Sequence, residues 1–258
     1  MGCGSSTGSD GKICMKKTKL PAVDEFFDDV QGLCDEVYSI QDPIEEAEQK
    51  LLWDADFKDT DGANVKHAVV GIVFNVAAKG NLDNIDRFVK ITDKAPFIAL
   101  DASSAASDVK NCIDAANNYI NSVISAKDKI EPLCDKAKDF AEKAPELPGK
   151  AKDELGKAAG LGTMDKIRAV RNCTGNVRAI AKLPTVVTGL KDCVMESISN
   201  IQGAVKEINA KKAKLNDIGK KCSSKGLETP MACYQECGDP IAKTGKKPGA
   251  KGGKKPKK

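Results

Sequence analysis

Aromatic side chains are scarce in this sequence. Phe, Trp and Tyr make up 4% of the residues, with a single tryptophan. An aromatic-lined ligand pocket is hard to build from so few rings. The apolar content of 41% comes mostly from Ala, Val, Ile and Leu, which suit close helix–helix interfaces. Histidine is scarcer still: His67 stands alone, which excludes a metal centre built on several imidazoles. Long apolar runs are missing. The longest, AVVGIVFNVAA at 68–78, is broken by Asn75. It falls short of the roughly 18 residues a spanning helix needs. The N-terminus lacks the apolar core of a secretory signal, so the chain is expected to stay in the cytosol.

Catalytic patterns are absent as well. There is no G-x-S-x-G, no kinase set and no Cys–His pairing supported by pattern. The Gly-rich stretch 156–162 is not followed by the lysine–serine pair of a phosphate loop. Asp59, Asp61 and Gly62 hint at a calcium loop, but Phe57 takes the first ligand position and Ala68 the last, leaving an Asp-rich turn. Cys233 and Cys237 lie one helical turn apart with Cys222 upstream, but the second close pair of a zinc site is missing. The expectation is no enzyme, no cofactor and no metal. Eight body cysteines and the sequon Asn172-Cys173-Thr174 would suit a disulfide-bonded secreted protein. Several of those cysteines fall on or beside apolar helix seams, which favours buried free thiols in a reducing compartment.

What is present begins at residue 1. MGCGSS fits M-G-x-x-x-[ST] throughout, which marks Gly2 for myristoylation once Met1 is removed. Cys3 sits where a second, reversible acyl chain is added. One myristoyl chain holds a protein at a bilayer only marginally, so a second chain or a basic patch matters. Lys12, Lys16, Lys17 and Lys19 supply the patch. Each would add about 1 kcal/mol near an anionic leaflet. The six residues resemble the N-termini of dually acylated proteins such as some Src-family kinases and G-protein alpha subunits. That resemblance implies a modification and not a fold.

The other end is basic. After Asp239 there is no carboxylate, but there are eight lysines: Lys243, Lys246, Lys247, Lys251, Lys254, Lys255, Lys257 and Lys258. Taking those eight charges from the net +4 leaves the rest near −4. Such a tail seeks polyanions. Without arginine or aromatics it offers no base readout or stacking, so sequence-specific nucleic-acid binding is not expected. Anionic lipid, an acidic tubulin surface and non-specific nucleic acid remain its candidate counterparts.

Between the ends the pattern is helical. Phe26, Val30, Leu33, Val37, Ile40, Ile44, Ala47 and Leu51 alternate steps of four and three, with a kink or restart expected near Asp42-Pro43. A second helix covers 63–79, and a short one is expected around Leu82, Ile85 and Val89. A seam from Ala102 to Ala141 predicts one helix of about 45 residues, roughly 65 Å long. APELPGKAK reads as a loop. Another long helix is expected next, in which Ile167, Val170, Val177 and Ile180 lead to Pro184 and a seam from Val187 to Leu215 continues it to about Cys222. Thr229-Pro230 caps a short last helix. The expected fold is all-α: an elongated up-down bundle of four or five long, partly kinked helices with coiled-coil-like seams. Residues 1–20 form a flexible leader, 21–238 the bundle and 239–258 a disordered basic tail.

These features predict a non-enzymatic, lipid-anchored scaffold or adaptor. It would sit peripherally on the cytoplasmic face of a plasma, ciliary or endomembrane, with anionic lipid as partner. Long helices plus an apolar segment also weakly resemble α-helical pore-forming toxins, which implies an alternative in which 68–78 inserts into a membrane. A third reading is a cytoskeletal or nucleic-acid-associated protein acting through the lysine tail.

Overall fold

The computed structural model describes residues 12–80, 89–92, 97–101, 107–158 and 160–242. The chain is mostly helical, as expected. Its helices are α1 (Pro21–Asp54), α2 (Val65–Ala78), α3 (Ser107–Lys127), α4 (Ile130–Lys143), α5 (Leu147–Lys157), α6 (Thr163–Ile180), α7 (Leu183–Lys211), α8 (Leu215–Ser224) and α9 (Pro230–Cys237). Single 3₁₀ turns, Ala144–Glu146 and Lys212–Lys214, join α4 to α5 and α7 to α8.

The segmentation differs from the sequence pattern at five places. The 45-residue helix is divided at Asp128-Lys129. Pro132, in the first turn of α4, has no N–H to offer the carbonyl four residues back, so the ladder restarts there. APELPGKAK is helical and not a loop, because Pro145 and Pro148 each stand in the first turn of a new segment, where proline is tolerated. Of the kink or restart expected near Asp42-Pro43, the restart is absent: α1 runs unbroken through Pro43. The long helix expected from Ile167 to about Cys222 is divided at Ala181-Lys182 and again at Lys212–Lys214.

The fifth difference is a hairpin. Strands β1 (Val89–Thr92) and β2 (Phe97–Leu100) pair antiparallel, Val89 facing Leu100 and Thr92 facing Phe97. Val89 is therefore in a strand and not a helix, and the all-α expectation is corrected to that extent. VKIT is β-branched at three of four positions, which suits a pleated surface. Leu82 and Ile85 lie outside the described residues.

The chain divides into two compact units. The first takes residues up to Gln41 and Lys127–Cys193. Val23, Phe27, Val30, Leu33 and Val37 of α1 are buried there, with Leu133 and Ala137 of α4 and Val187 and Leu190 of α7. The Phe26 and Phe140 rings meet edge-on at 5.3 Å.

The second unit takes Asp42–Ala126 and the chain from Val194. Its centre is α2, buried from Val65 to Val76 except at Lys66. A helix that is apolar all round has to be surrounded, and its β-branched residues give little helix propensity of their own. Packing holds it as a helix. On α8, a Cβ at Gly219 would lie 2.5 Å from the Ala77 carbonyl oxygen. On α2, a Cβ at Gly71 would lie 2.6 Å from the Pro230 carbonyl oxygen. Asn75, the polar break in the apolar run, donates from Nδ2 to the Glu228 carbonyl at 3.0 Å.

Replacing Gly219 with Ala should therefore destabilise the protein by about 1–3 kcal/mol through overpacking. Gly189→Ala is the control, since it is a helical position with nothing within 4 Å. It should be neutral or mildly stabilising. Urea melts followed by circular dichroism would compare the two.

Candidate functional site

Residues 12–20, expected as part of a flexible leader, form an extended strap in the first unit. Ile13 and Leu20 are buried. The strap runs antiparallel to α6. The Asn176 carboxamide, with no exposed surface, accepts from the Lys16 N–H at 3.0 Å and donates to the Lys16 carbonyl at 2.8 Å. One turn earlier, Asn172 donates to the Lys17 carbonyl at 2.7 Å. The strap also leans on α1. The Ile13 N–H donates to the Tyr38 hydroxyl and the Met15 N–H to Gln31 Oε1, both at 2.7 Å. Asp24 takes the Thr18 N–H, the Thr18 hydroxyl and the Lys19 N–H at 2.7–2.9 Å, which fixes the turn into α1. Side-chain amides here do what a neighbouring strand would do for an extended segment.

The four leader lysines thus lie on one strap, and the side chains of three of them have partners. Lys12 lies over the Tyr38 ring, 4.9 Å from its centre. Lys17 pairs with Asp28 at 2.5 Å, and Lys19 with Asp165 at 3.1 Å. The Asp28 carboxylate holds the Lys17 ammonium above its ordinary pKa. Both pairs are well exposed, the kind that salt or a lipid phosphate displaces readily. Gly2, Cys3 and the tail lysines Lys243, Lys246, Lys247, Lys251, Lys254, Lys255, Lys257 and Lys258 lie outside the described residues.

The sequon Asn172-Cys173-Thr174 is inside α6. Asn172 is engaged with the strap, and the Thr174 hydroxyl donates to the Val170 carbonyl at 2.9 Å. The outward face of α6 is a correction. Ile167 and Val170 do not point inward as their apolar spacing predicts. They are each 50% exposed, and Met164 is 68% exposed. The buried line is instead Ala169, Cys173, Asn176 and Ile180. A count of large apolar residues passes over a small Ala, a Cys and a carboxamide, so it rotates the expected face away from the buried line and shares only Ile180 with it.

In the second unit Glu207 of α7 is a buried hub. Lys66 of α2 reaches it at 2.9 Å, the Asp239 N–H donates to it at 3.1 Å, and the Tyr234 hydroxyl at 3.4 Å. Lys211 bonds Asp239 at 2.9 Å and the Cys237 carbonyl at 3.1 Å. These bonds tie the start of the C-terminal segment to α7. His67 stacks edge-on against Tyr234 at 5.2 Å, and its Nδ1 accepts from the Asn64 N–H at 3.0 Å. It is a packed, neutral imidazole. Burial lowers its pKa, Lys66 lowers it further, and Glu207 opposes both.

The described cysteines are free thiols. Burial pushes Cys34 up to about 12 and Cys112 up to about 11, so neither is a ready nucleophile. Cys222 and Cys237 are 3.9 Å apart, sulfur to sulfur. Among the described residues no group of three or more His, Cys, Asp or Glu side chains has the arrangement of a metal site. The Asp59–Asp61 turn is packing structure: Phe57 is buried against Tyr234, and Gly62, at φ +76, sits under the backbone of Ala242. No helix among the described residues is long and apolar enough to cross a membrane.

No family model matches the chain, and neither a curated protein nor a solved structure matches it.

Two outcomes follow from these contacts. Asn176→Ala strips the Lys16 amide and carbonyl of their partner, and each such hydrogen bond contributes about 1 kcal/mol. Hydrogen exchange across Ile13–Leu20 should speed up roughly ten-fold or more while α2 stays protected. For His67 the folded pKa lies below the unfolded one. Its contribution is whole above the unfolded value near 6.5 and is lost as pH falls through the lowered folded value. Melts at neutral and mildly acidic pH should show that loss, and His67→Gln should shrink it.

Proposed function

We propose that this protein is a non-enzymatic, N-terminally acylated scaffold or adaptor held on the cytoplasmic face of a membrane. Gly2 carries the myristoyl group and Cys3 the second acyl chain. The observation that carries this reading is the acylation signature MGCGSS at residues 1–6, in a chain whose residues from Lys12 on form a strap hydrogen-bonded to α1 and α6. An anchor attached to such a strap restrains the folded first unit and not merely a loose end. Lys12, Lys16, Lys17 and Lys19 then lie close behind the acyl chains, where exposed pairs with aspartates exchange for anionic headgroups. The lysine tail from Lys243 adds affinity for the same leaflet or reaches a second polyanion. The helical body, read as a bundle with heptad seams, serves as the binding surface for protein partners. Phosphorylation among Ser5, Ser6, Thr7 and Ser9 would oppose binding by adding negative charge beside the leaflet.

A second reading is favoured by α2, whose surface is apolar on every side. In that reading the helix leaves its place and inserts, as in a pore-forming bundle. Leakage from liposomes exposed to unacylated protein would support this alternative.

The deciding measurement is the mass of the N-terminal peptide of native protein, with and without hydroxylamine. The expected result is a myristoylated Gly2 carrying a hydroxylamine-labile group on Cys3, with Gly2→Ala releasing the protein from the membrane fraction. An unmodified Gly2 would sink the anchored reading.

A further inference from the structure

We infer that the outer face of α6 is a membrane-contact surface that seats on an anionic lipid leaflet. The inference rests on the membrane-anchored reading and assigns the part of the folded protein that meets the bilayer.

The face is defined by position. Ala169, Cys173, Asn176 and Ile180 point inward at steps of four, three and four. Opposite them stand Met164, Ile167, Arg171 and Arg178, flanked by Val170 on one side and Arg168 on the other. At 68%, 50% and 50% exposed, Met164, Ile167 and Val170 form a local apolar cluster on a face that water would select to be polar. The cations among them are unusual for this chain. Of its four arginines, three are Arg168, Arg171 and Arg178, in a sequence where lysine dominates. Guanidinium groups fork onto phosphate oxygens and are more weakly hydrated than ammonium groups, so they suit a headgroup layer. α6 carries four cationic side chains against one carboxylate, Asp165, which already pairs with Lys19 of the strap. Apolar side chains and arginines sharing the exposed side of a helix are the composition of an interfacial helix, which buries a few ångströms into the headgroup boundary.

Charge also argues against a second copy of the chain as occupant. A two-fold contact through this face would set arginines against their own equivalents. An anionic leaflet offers phosphate to each. The strap lies along the flank of the same helix, and Gly2 is ten residues ahead of Lys12, a reach of at most about 35 Å. An acyl anchor on Gly2 would therefore act within reach of this face.

The test uses full-length, unacylated protein, so its outcome is independent of whether Gly2 is modified. Ile167→Trp, made with Trp53→Phe to remove the native indole, reports on the face itself. The probes are vesicles of phosphatidylcholine alone, the same doped with phosphatidylserine, and the doped vesicles with brominated acyl chains. The expected result is a blue shift and bromine quenching on the phosphatidylserine vesicles only. Met164→Asn/Ile167→Asn/Val170→Asn should bind the doped vesicles roughly ten-fold or more weakly, with an unchanged melting temperature because all three positions are exposed. Arg168→Gln/Arg171→Gln/Arg178→Gln should weaken binding and flatten its salt dependence. Binding without any change in the emission of the indole introduced by Ile167→Trp would mean that the lysine tail alone meets the vesicle, and would overturn the inference. So would a concentration-dependent dimer that the Asn triple variant abolishes. An unmodified Gly2 in native protein would instead overturn the anchored reading and leave the vesicle result standing.

Discussion

A helix without a polar face cannot end at solvent on any side, and α2 is such a helix. The second unit is arranged to satisfy it. α8 approaches so closely at Gly219 that no side chain fits, and the start of α9 does the same opposite Gly71. The one amide in the run, Asn75, meets a carbonyl of the connection between α8 and α9, so its polarity fixes the position of the covering loop. Tyr234 fills the remaining space, its ring against Phe57, His67 and Phe74 and its hydroxyl on Glu207. A buried carboxylate is costly unless it is paired and hydrogen-bonded, and Lys66, Tyr234 and the Asp239 N–H meet that requirement. The polar hub is thus a consequence of covering an apolar helix with amphipathic ones.

The first unit solves a different problem. A segment packed on helices needs partners for its backbone N–H and C=O groups. Asn172 and Asn176, four apart on α6, supply the missing partners from one side, and Tyr38 and Gln31 of α1 supply them from the other. Satisfying Lys16 requires Asn176 to face inward, and that choice turns Ile167 and Val170 outward. The strap and the exposed face of α6 are two results of one rotation.

The legible parts of this fold are those where apolar side chains keep a helical period. Val30, Leu33, Val37, Ile40, Ile44 and Leu51 of the expected α1 seam are buried, although Phe26 and Ala47 are only half-buried and Phe27 takes the core position; the α2 run is helical and the Thr229 hydroxyl caps α9, accepting from the Ala232 N–H. Most of the illegible parts turn on residues that are not large and apolar. Prolines 145 and 148 read as breakers, although a first helical turn accepts them, whereas Pro132 lies within an apolar seam that the structure divides just ahead of it. The hairpin is two four-residue runs, too short for periodicity to separate strand from helix. The inward face of α6 is hidden from an apolar pattern because an asparagine occupies its core. The strap reads as loose because its order comes from single polar side chains, some of them more than 150 positions away, and an apolar pattern carries none of that information.

The antiparallel course of the strap has a mechanical side. Its bonds to Tyr38, Gln31, Asn176, Asn172 and Asp24 are spaced along its length. A pull on the N-terminus directed along the strap loads them together, in shear, and they resist as a group. A pull directed outward, away from α6, loads them one after another from Ile13 inward, and they part like a zipper. The same attachment is therefore stiff in one direction and compliant in another, so the direction of the load decides whether the strap holds or peels.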